Sequence, residues 1–229
     1  PLEFVESVKK EITPEFLSIY PEPDRFIKKY CDFVNRAYTT SNKFTEKNFV
    51  TTNGSDMAIR YILETFGEVG KEVVTVSPSF EMYWVNCNIL GLKHIPVQYE
   101  NDFTIDVKKI VSAINENTRI VVLLNPNNPM GNVYSEEEVS KIIDKATSVG
   151  AIVVIDEAYH FFCPTTFLRY AVEKSNVIIL RTFSKVYSIA ACRLGVICSS
   201  EEIIHYVKNA RLTFDANSIA LLFGERLLD

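Results

Sequence analysis

A chain of 229 residues, 47% hydrophobic and 23% charged, has the composition of a soluble globular protein built from one large domain or a domain and a half. Its net charge of −5 argues against a nucleic-acid binder, which carries a basic face, and no apolar run reaches the length of a membrane span. The cysteines at 31, 87, 163, 192 and 198 include no Cys-x-x-Cys pair, so reduced thiols in a cytoplasmic protein are expected rather than a disulfide frame.

From the start of the chain, the spacing of Leu2, Val5, Val8 and Ile12 predicts a helix with one apolar face, interrupted at Pro14. Tyr20-Pro21-Glu22-Pro23-Asp24 is a proline-rich turn, after which Arg25 to Tyr38 reads as helix. Strands and helices then alternate. Asn48–Thr52, Glu72–Val76, Leu92–Val97 and Arg119–Leu124 are expected strands; Ser55–Phe66, Ser79–Leu90, Asp106–Ile114 and Ser135–Val149 are expected helices. Two apolar runs follow, Ala151 to Ile155 and Val177 to Leu180, each ending in ionisable groups. Each reads as a strand buried on both faces, as in a parallel sheet. Arg193–Cys198 is a last strand and Glu201–Arg211 a helix. Seven strands separated mostly by helices predict an α/β fold, a three-layer αβα domain around a mostly parallel sheet. The chain opens on Pro1 and closes at Asp229 within a helical pattern, so further sequence is expected at both ends.

Ligands of open α/β sheets bind at the carboxyl ends of the strands. Asp156 closes one buried run and Lys185 stands just past the other, so an acid and an amine are expected in one pocket. A charge next to a buried run carries a desolvation cost unless it has a partner. Arg193, at the start of the next strand, adds a second cation. Thr52-Asn53-Gly54-Ser55-Asp56 leads from a strand into a helix. Ser55 or Asp56 can cap that helix, and its free N–H groups make an anion site. Neither Gly-x-x-x-x-Gly-Lys nor Gly-x-Gly-x-x-Gly occurs, which removes the best evidence for a nucleoside-triphosphate or nicotinamide site. Asn125-Pro126-Asn127-Asn128-Pro129-Met130-Gly131 fixes a rigid, amide-bearing loop at another strand end, and Pro78 to Trp84 offers an aromatic face. His94, His160 and His205 show no metal-ligand spacing.

Taken in order, Tyr-Pro-Glu-Pro-Asp at 20–24, Asn-Gly-Ser-Asp at 53–56, Asn-Pro-Asn-Asn-Pro-Met-Gly at 125–131, Asp-Glu-Ala-Tyr at 156–159 and Arg-Thr-Phe-Ser-Lys at 181–185 resemble the fold-type I pyridoxal-phosphate enzymes. Within these, the chain is similar to the aminotransferases of the histidinol-phosphate aminotransferase group, over nearly its whole length. The resemblance implies pyridoxal 5′-phosphate as cofactor and amino transfer between a small amino compound, with or without a phosphate, and a 2-oxo acid, in amino-acid biosynthesis. It implies that Lys185 bonds the cofactor's aldehyde carbon and shuttles the proton between that carbon and the substrate's α-carbon. Asp156 would pair with the ring nitrogen, Tyr159 and Asn128 with the ring's phenolate oxygen, and Phe80 would stack on the ring. Ser55, Asp56, Ser184 and Arg193 would hold the phosphate, joined by Tyr20 from the other subunit of a homodimer. Residues 1–30 would form a segment contributing to a small domain and the dimer contact, 31–212 the cofactor-binding domain, and 213–229 the start of a connection to a further small domain.

Two departures from the pattern point to a divergent paralogue. Met130 stands where the family usually has threonine, and the stretch from Val186 to Arg193 is poorer in glycine than the family's. Two other readings stay open. Decarboxylases of phosphorylated amino acids, similar to threonine-phosphate decarboxylase, share these motifs. A non-catalytic binding domain on the same scaffold is disfavoured by the presence together of Lys185, Asp156, Tyr159 and Arg193.

Overall fold

The computed structural model describes residues 2–38, 40 and 42–229. Pro1 of the expected N-terminal segment, with Thr39 and Ser41 of the expected large domain, lies outside the described residues. Seven strands form one sheet: β1 (Phe49–Asn53), β2 (Glu72–Ser77), β3 (Lys93–Gln98), β4 (Thr118–Leu124), β5 (Ile152–Asp156), β6 (Val177–Thr182) and β7 (Leu194–Ser199). Ahead of them run helices α1 (Leu2–Lys9), α2 (Pro14–Ser18) and α3 (Asp24–Ala37). Between and after them come α4 (Gly54–Phe66), α5 (Met82–Leu90), α6 (Val107–Ala113), α7 (Glu136–Ser148), α8 (Tyr170–Glu173), α9 (Glu201–Ala210) and α10 (Ser218–Leu227).

The strand order is β1-β7-β6-β5-β4-β2-β3, and β7 runs antiparallel to both of its neighbours while the other pairs are parallel. The uninterrupted apolar runs have a direct cause. Val121, Leu123, Val153, Ile155, Val177 and Ile179 enter a core shared with α3, α6, α7, α8 and α10. Their alternates Ile120, Val122, Val154 and Ile178 enter a second core under α4, α5 and α9. Both faces of the central strands are thus covered, and the expected three-layer α/β architecture is the one observed.

Two helices, α6 and α7, begin one residue inside their expected bounds because the expected first residue is a cap. Asp106 accepts from the Lys108 N–H at 2.9 Å, and Ser135 and Glu138 form a reciprocal capping box. Pro14 does more than interrupt a helix: it opens α2, with Thr13 accepting from the Phe16 N–H at 3.2 Å. A first-turn proline has no helical N–H to lose there. The expected apolar face of α1 is mostly unburied, since Val8 is buried whereas Leu2 and Val5 are exposed. The helix expected from Ser79 starts at Met82. No helix among the described residues is long and apolar enough to cross a membrane.

Candidate active site

The sheet delivers its chemistry to one edge. Asp156 closes β5 in register with Leu180 of parallel β6, and Lys185 comes just beyond the end of β6. Because β7 is reversed, its start lies at the edge where β5 and β6 end. Phe183 N–H bonds to Leu194 O at 3.0 Å, and Ser184 N–H bonds to Thr182 Oγ1 at 3.1 Å, which joins the lysine-bearing loop to the beginning of β7. Arg193 therefore faces the same space. That space is a cavity of about 150 Å³ lined by Ser55, Asp56, Phe80, Asn128, Asp156, Tyr159, Ser184, Lys185 and Arg193, with Leu124, Pro126 and Ala158. Every site residue expected from the sequence is there except Tyr20. Tyr20 lies elsewhere, exposed, with its ring stacked on Phe214 at 4.4 Å between centroids.

Asp156 is buried and turned toward α5. Its Oδ2 accepts from the Tyr83 hydroxyl at 2.9 Å and its Oδ1 from the Ala158 N–H at 3.0 Å. Burial pushes its carboxyl up to about 6 against the pull of these two donors, and the nearby Glu157 and Asp56 charges push the same way as burial. No ion pair among the described residues joins Asp156 to Lys185 or to any other cation. The lysine Nζ instead lies 5.0 Å from the centroid of the Tyr159 ring.

The opposite wall brings the start of α4 and the Arg193 guanidinium together. Neither Ser55 nor Asp56 caps α4, contrary to expectation. The helix begins one residue earlier, at Gly54, and its N-cap Asn53 makes no side-chain capping bond. The first N–H groups of a helix have no intrahelical partner, and Ser55 and Asp56 of this first turn line the cavity. Gly54 is left-handed at φ +74, and a Cβ there would stand 2.3 Å from Arg193 Nη2. A Cβ on Gly195 would stand 2.7 Å from the Gly54 carbonyl carbon and 2.8 Å from the Ser55 nitrogen. Two missing side chains thus let the α4 terminus lie on β7 and the guanidinium lie over the terminus. Arg193 donates to Asp56 Oδ2 at 2.8 Å and to the Ala190 carbonyl at 3.3 Å, with Ser184 Oγ at 3.5 Å.

Sequence reasoning missed Tyr83, Gly195 and a buried network on the other face of the sheet. Tyr83 was within reach, since it falls one helical turn after Phe80 in the aromatic stretch. In the network Arg181 Nη2 donates to Glu157 Oε2 at 2.8 Å, Glu157 accepts from the Phe167 N–H at 2.6 Å, and Arg181 reaches Tyr38 Oη at 3.2 Å. Asn127 is likewise structural, bonding Ser79, the Pro78 carbonyl and Tyr99, while Asn128 lines the cavity.

The model of the family "Aminotransferase class I and II" matches residues 5–220. Histidinol-phosphate aminotransferase of Clostridium novyi (strain NT) is 34% identical over 212 residues, 91% of this chain and 56% of that protein. The enzyme of the same name from Caldanaerobacter subterraneus subsp. tengcongensis is 34% identical over 230 residues, 96% of this chain and 62% of that protein. Among solved structures, Sinorhizobium meliloti histidinol-phosphate aminotransferase in complex with pyridoxal-5′-phosphate superposes with a TM-score of 0.84 at 22% identity, covering 98% of this chain and 60% of that one. Thermus thermophilus aspartate aminotransferase with maleate gives 0.87 at 20% identity, covering 99% and 61%. The chain therefore spans roughly three fifths of the length of the curated relatives it matches.

Proposed function

Because the chain belongs to the class I and II aminotransferases, we propose that it is the cofactor-binding part of a pyridoxal-phosphate-dependent aminotransferase. The reaction moves an amino group between a small amino compound, with or without a phosphate, and a 2-oxo acid. One observation carries this reading: with no ion partner for either among the described residues, a buried carboxylate and an amine line a single cavity, delivered by adjacent strands.

The residues present fit the cofactor. A buried carboxylate lifted to about 6 suits a site that receives a cationic ring N–H. The glycine-floored cradle of Ser55, Asp56, Ser184 and Arg193 suits a phosphate. When bound, pyridoxal phosphate supplies an electron-withdrawing ring that stabilises negative charge at the substrate's α-carbon. Asp156 would hold the proton at the ring nitrogen. Lys185 Nζ would hold the aldehyde carbon and would carry a proton to and from the substrate's α-carbon. Tyr159 and Asn128 would donate to the ring's phenolate oxygen, and Phe80 would cover a ring face. Arg193 and the first amides of α4 anchor the phosphate, so that the reacting bonds are held in place without catalytic residues being spent on binding.

We place the active unit as a cytoplasmic homodimer. The five free thiols agree with a reducing compartment, and Tyr20 is exposed and does not line its own chain's cavity, as a residue serving a partner's phosphate would be.

Borohydride treatment of the full-length protein loaded with pyridoxal phosphate, followed by peptide mass mapping, tests the assignment. The added mass is expected on Lys185 and is absent in Lys185→Ala. A cofactor label that persists elsewhere in Lys185→Ala sinks the lysine's role. With a panel of amino donors, pyridoxamine phosphate should accumulate, whereas release of carbon dioxide without amino transfer overturns the transferase reading.

A further inference from the structure

Among the described residues, Tyr83 is the one side chain that donates a hydrogen bond to Asp156, at 2.9 Å. It is the second residue of α5, fully packed between that helix and the sheet, and its own burial drives the phenol well above its ordinary value, so it stays a neutral donor. The carboxylate is gripped from two directions, Oδ2 by Tyr83 and Oδ1 by the Ala158 N–H. Two bonds from separate elements fix its plane, where one would leave it free to rotate. The charged groups around it come from each neighbouring element. Glu157 follows it on its own strand, Asp56 comes from α4, and Lys185 and Arg193 line the shared cavity from the loop after β6 and the start of β7. Glu157 and Asp56 both disfavour charge on Asp156, and among the described residues no cation pairs with it. The phenol is the side chain left to oppose them.

We propose that Tyr83 is a positioning residue that sets the orientation and the charge of Asp156, and through it the hold on the ring nitrogen of the bound cofactor. The proposal rests on the functional reading above. A hydrogen bond to the charged form of an acid lowers its pKa, and deleting the donor raises it. Tyr83→Phe keeps the ring and removes only the hydroxyl.

In full-length apo-protein labelled with 13C-aspartate, the Asp156 resonance is assigned by its loss in Asp156→Asn and titrated in each form. Its midpoint should rise by about one pH unit in Tyr83→Phe. The dissociation constant for pyridoxal phosphate at pH 7 should rise roughly tenfold, while the melting temperature of the apo-protein moves far less than the loss of a core residue would cause. Should Tyr83→Phe fold poorly, 3-fluorotyrosine at position 83, a stronger donor of nearly the same shape, should move the midpoint down. An Asp156 midpoint that stays put in both forms, with unchanged cofactor affinity, reduces Tyr83 to a core residue and overturns the proposal. Failure of the wild-type protein to take up the cofactor is a separate result, seen before any variant is made, and it overturns the functional reading instead.

Discussion

Gly54 and Arg193 meet so closely that the guanidinium leaves no room for a side chain at residue 54. Both lie in the left-handed region, Gly54 at φ +74 and Arg193 at φ 59, and the arginine is held there by Asp56, Ala190 and Ser184. Gly54→Ala would strain the backbone by about 1 kcal/mol and drive a methyl group into the guanidinium. Its expected signature is a cofactor affinity at least tenfold weaker, read by fluorescence titration, with a modest fall in melting temperature; unchanged affinity would remove the cradle from the phosphate site. Ser188 shows the reverse situation. It sits at φ 57 in the loop between Lys185 and Arg193, exposed, with its hydroxyl 3.4 Å from the Val186 carbonyl and its N–H bonded to the Lys185 carbonyl at 3.0 Å. Glycine can keep that backbone bond without the left-handed strain, so Ser188→Gly should stabilise the fold by up to about 1 kcal/mol in urea unfolding.

At the scale of elements, the buried ion pair ties two strand ends to the long turn that separates them. Glu157 follows β5, Arg181 belongs to β6, and both side chains are almost completely buried. Glu157 also accepts from the Thr166 hydroxyl and the Phe167 amide, so it anchors the far end of the 157–169 segment that carries Tyr159. Glu157→Gln leaves the guanidinium buried with no anion, and the expected loss is about 3–5 kcal/mol by denaturant unfolding. Adding Arg181→Met to that variant should recover much of it, because the uncompensated charge is then gone; two additive losses would argue against coupling. The same elements show what the chain discloses about itself. The strands were legible because burial on both faces leaves an apolar run with no polar interruption, and the cavity was legible because its ionisable groups stand directly at the ends of such runs. The reversal of β7 was not, since an apolar run carries no sign of direction. Nor was the Tyr83–Asp156 bond, which joins residues 73 positions apart, or the need for Gly195, which exists only once α4 lies on β7. Pairings of that kind are properties of the assembled layers.

For the whole molecule, stability depends on pH through two buried groups set against each other, Asp156 of the candidate site and His160 beside Tyr38. Burial lifts Asp156 from 3.8 to about 6, so the folded chain holds this proton more tightly than the unfolded chain does. Stability is lost as the pH rises across that interval, and above it the ionised carboxylate destabilises the apo-protein by about 3 kcal/mol. His160 works in the opposite sense. Burial, and then the Arg181 charge, lower it from 6.5 to about 3, so the unfolded chain takes up this proton first and stability falls as the pH drops through the same range. Its ring nitrogen Nε2 bonds Tyr38 Oη at 2.8 Å and its Nδ1 is buried with no partner among the described residues, so an imidazolium would leave one N–H unpaired. Between about pH 4 and 6 the two slopes oppose each other and the wild-type curve is flattened. Asp156→Asn removes one of them. Asparagine can still accept from Ala158 and donate to the Tyr83 oxygen, so the packing need not change. The apo-form of this variant should be more stable than wild type by about 3 kcal/mol at pH 7, lose stability more steeply in acid, and converge on wild type near pH 4. Urea unfolding of both apo-proteins from pH 4 to 8 measures this, and equal stability at pH 7 would refute it. Cofactor should reverse the order at pH 7, because a cationic ring nitrogen relieves the buried carboxylate in wild type and finds no charge to meet in the variant. The carboxylate is thus a liability to the empty fold and an asset to the loaded one, a difference that a residue selected for packing alone would not show.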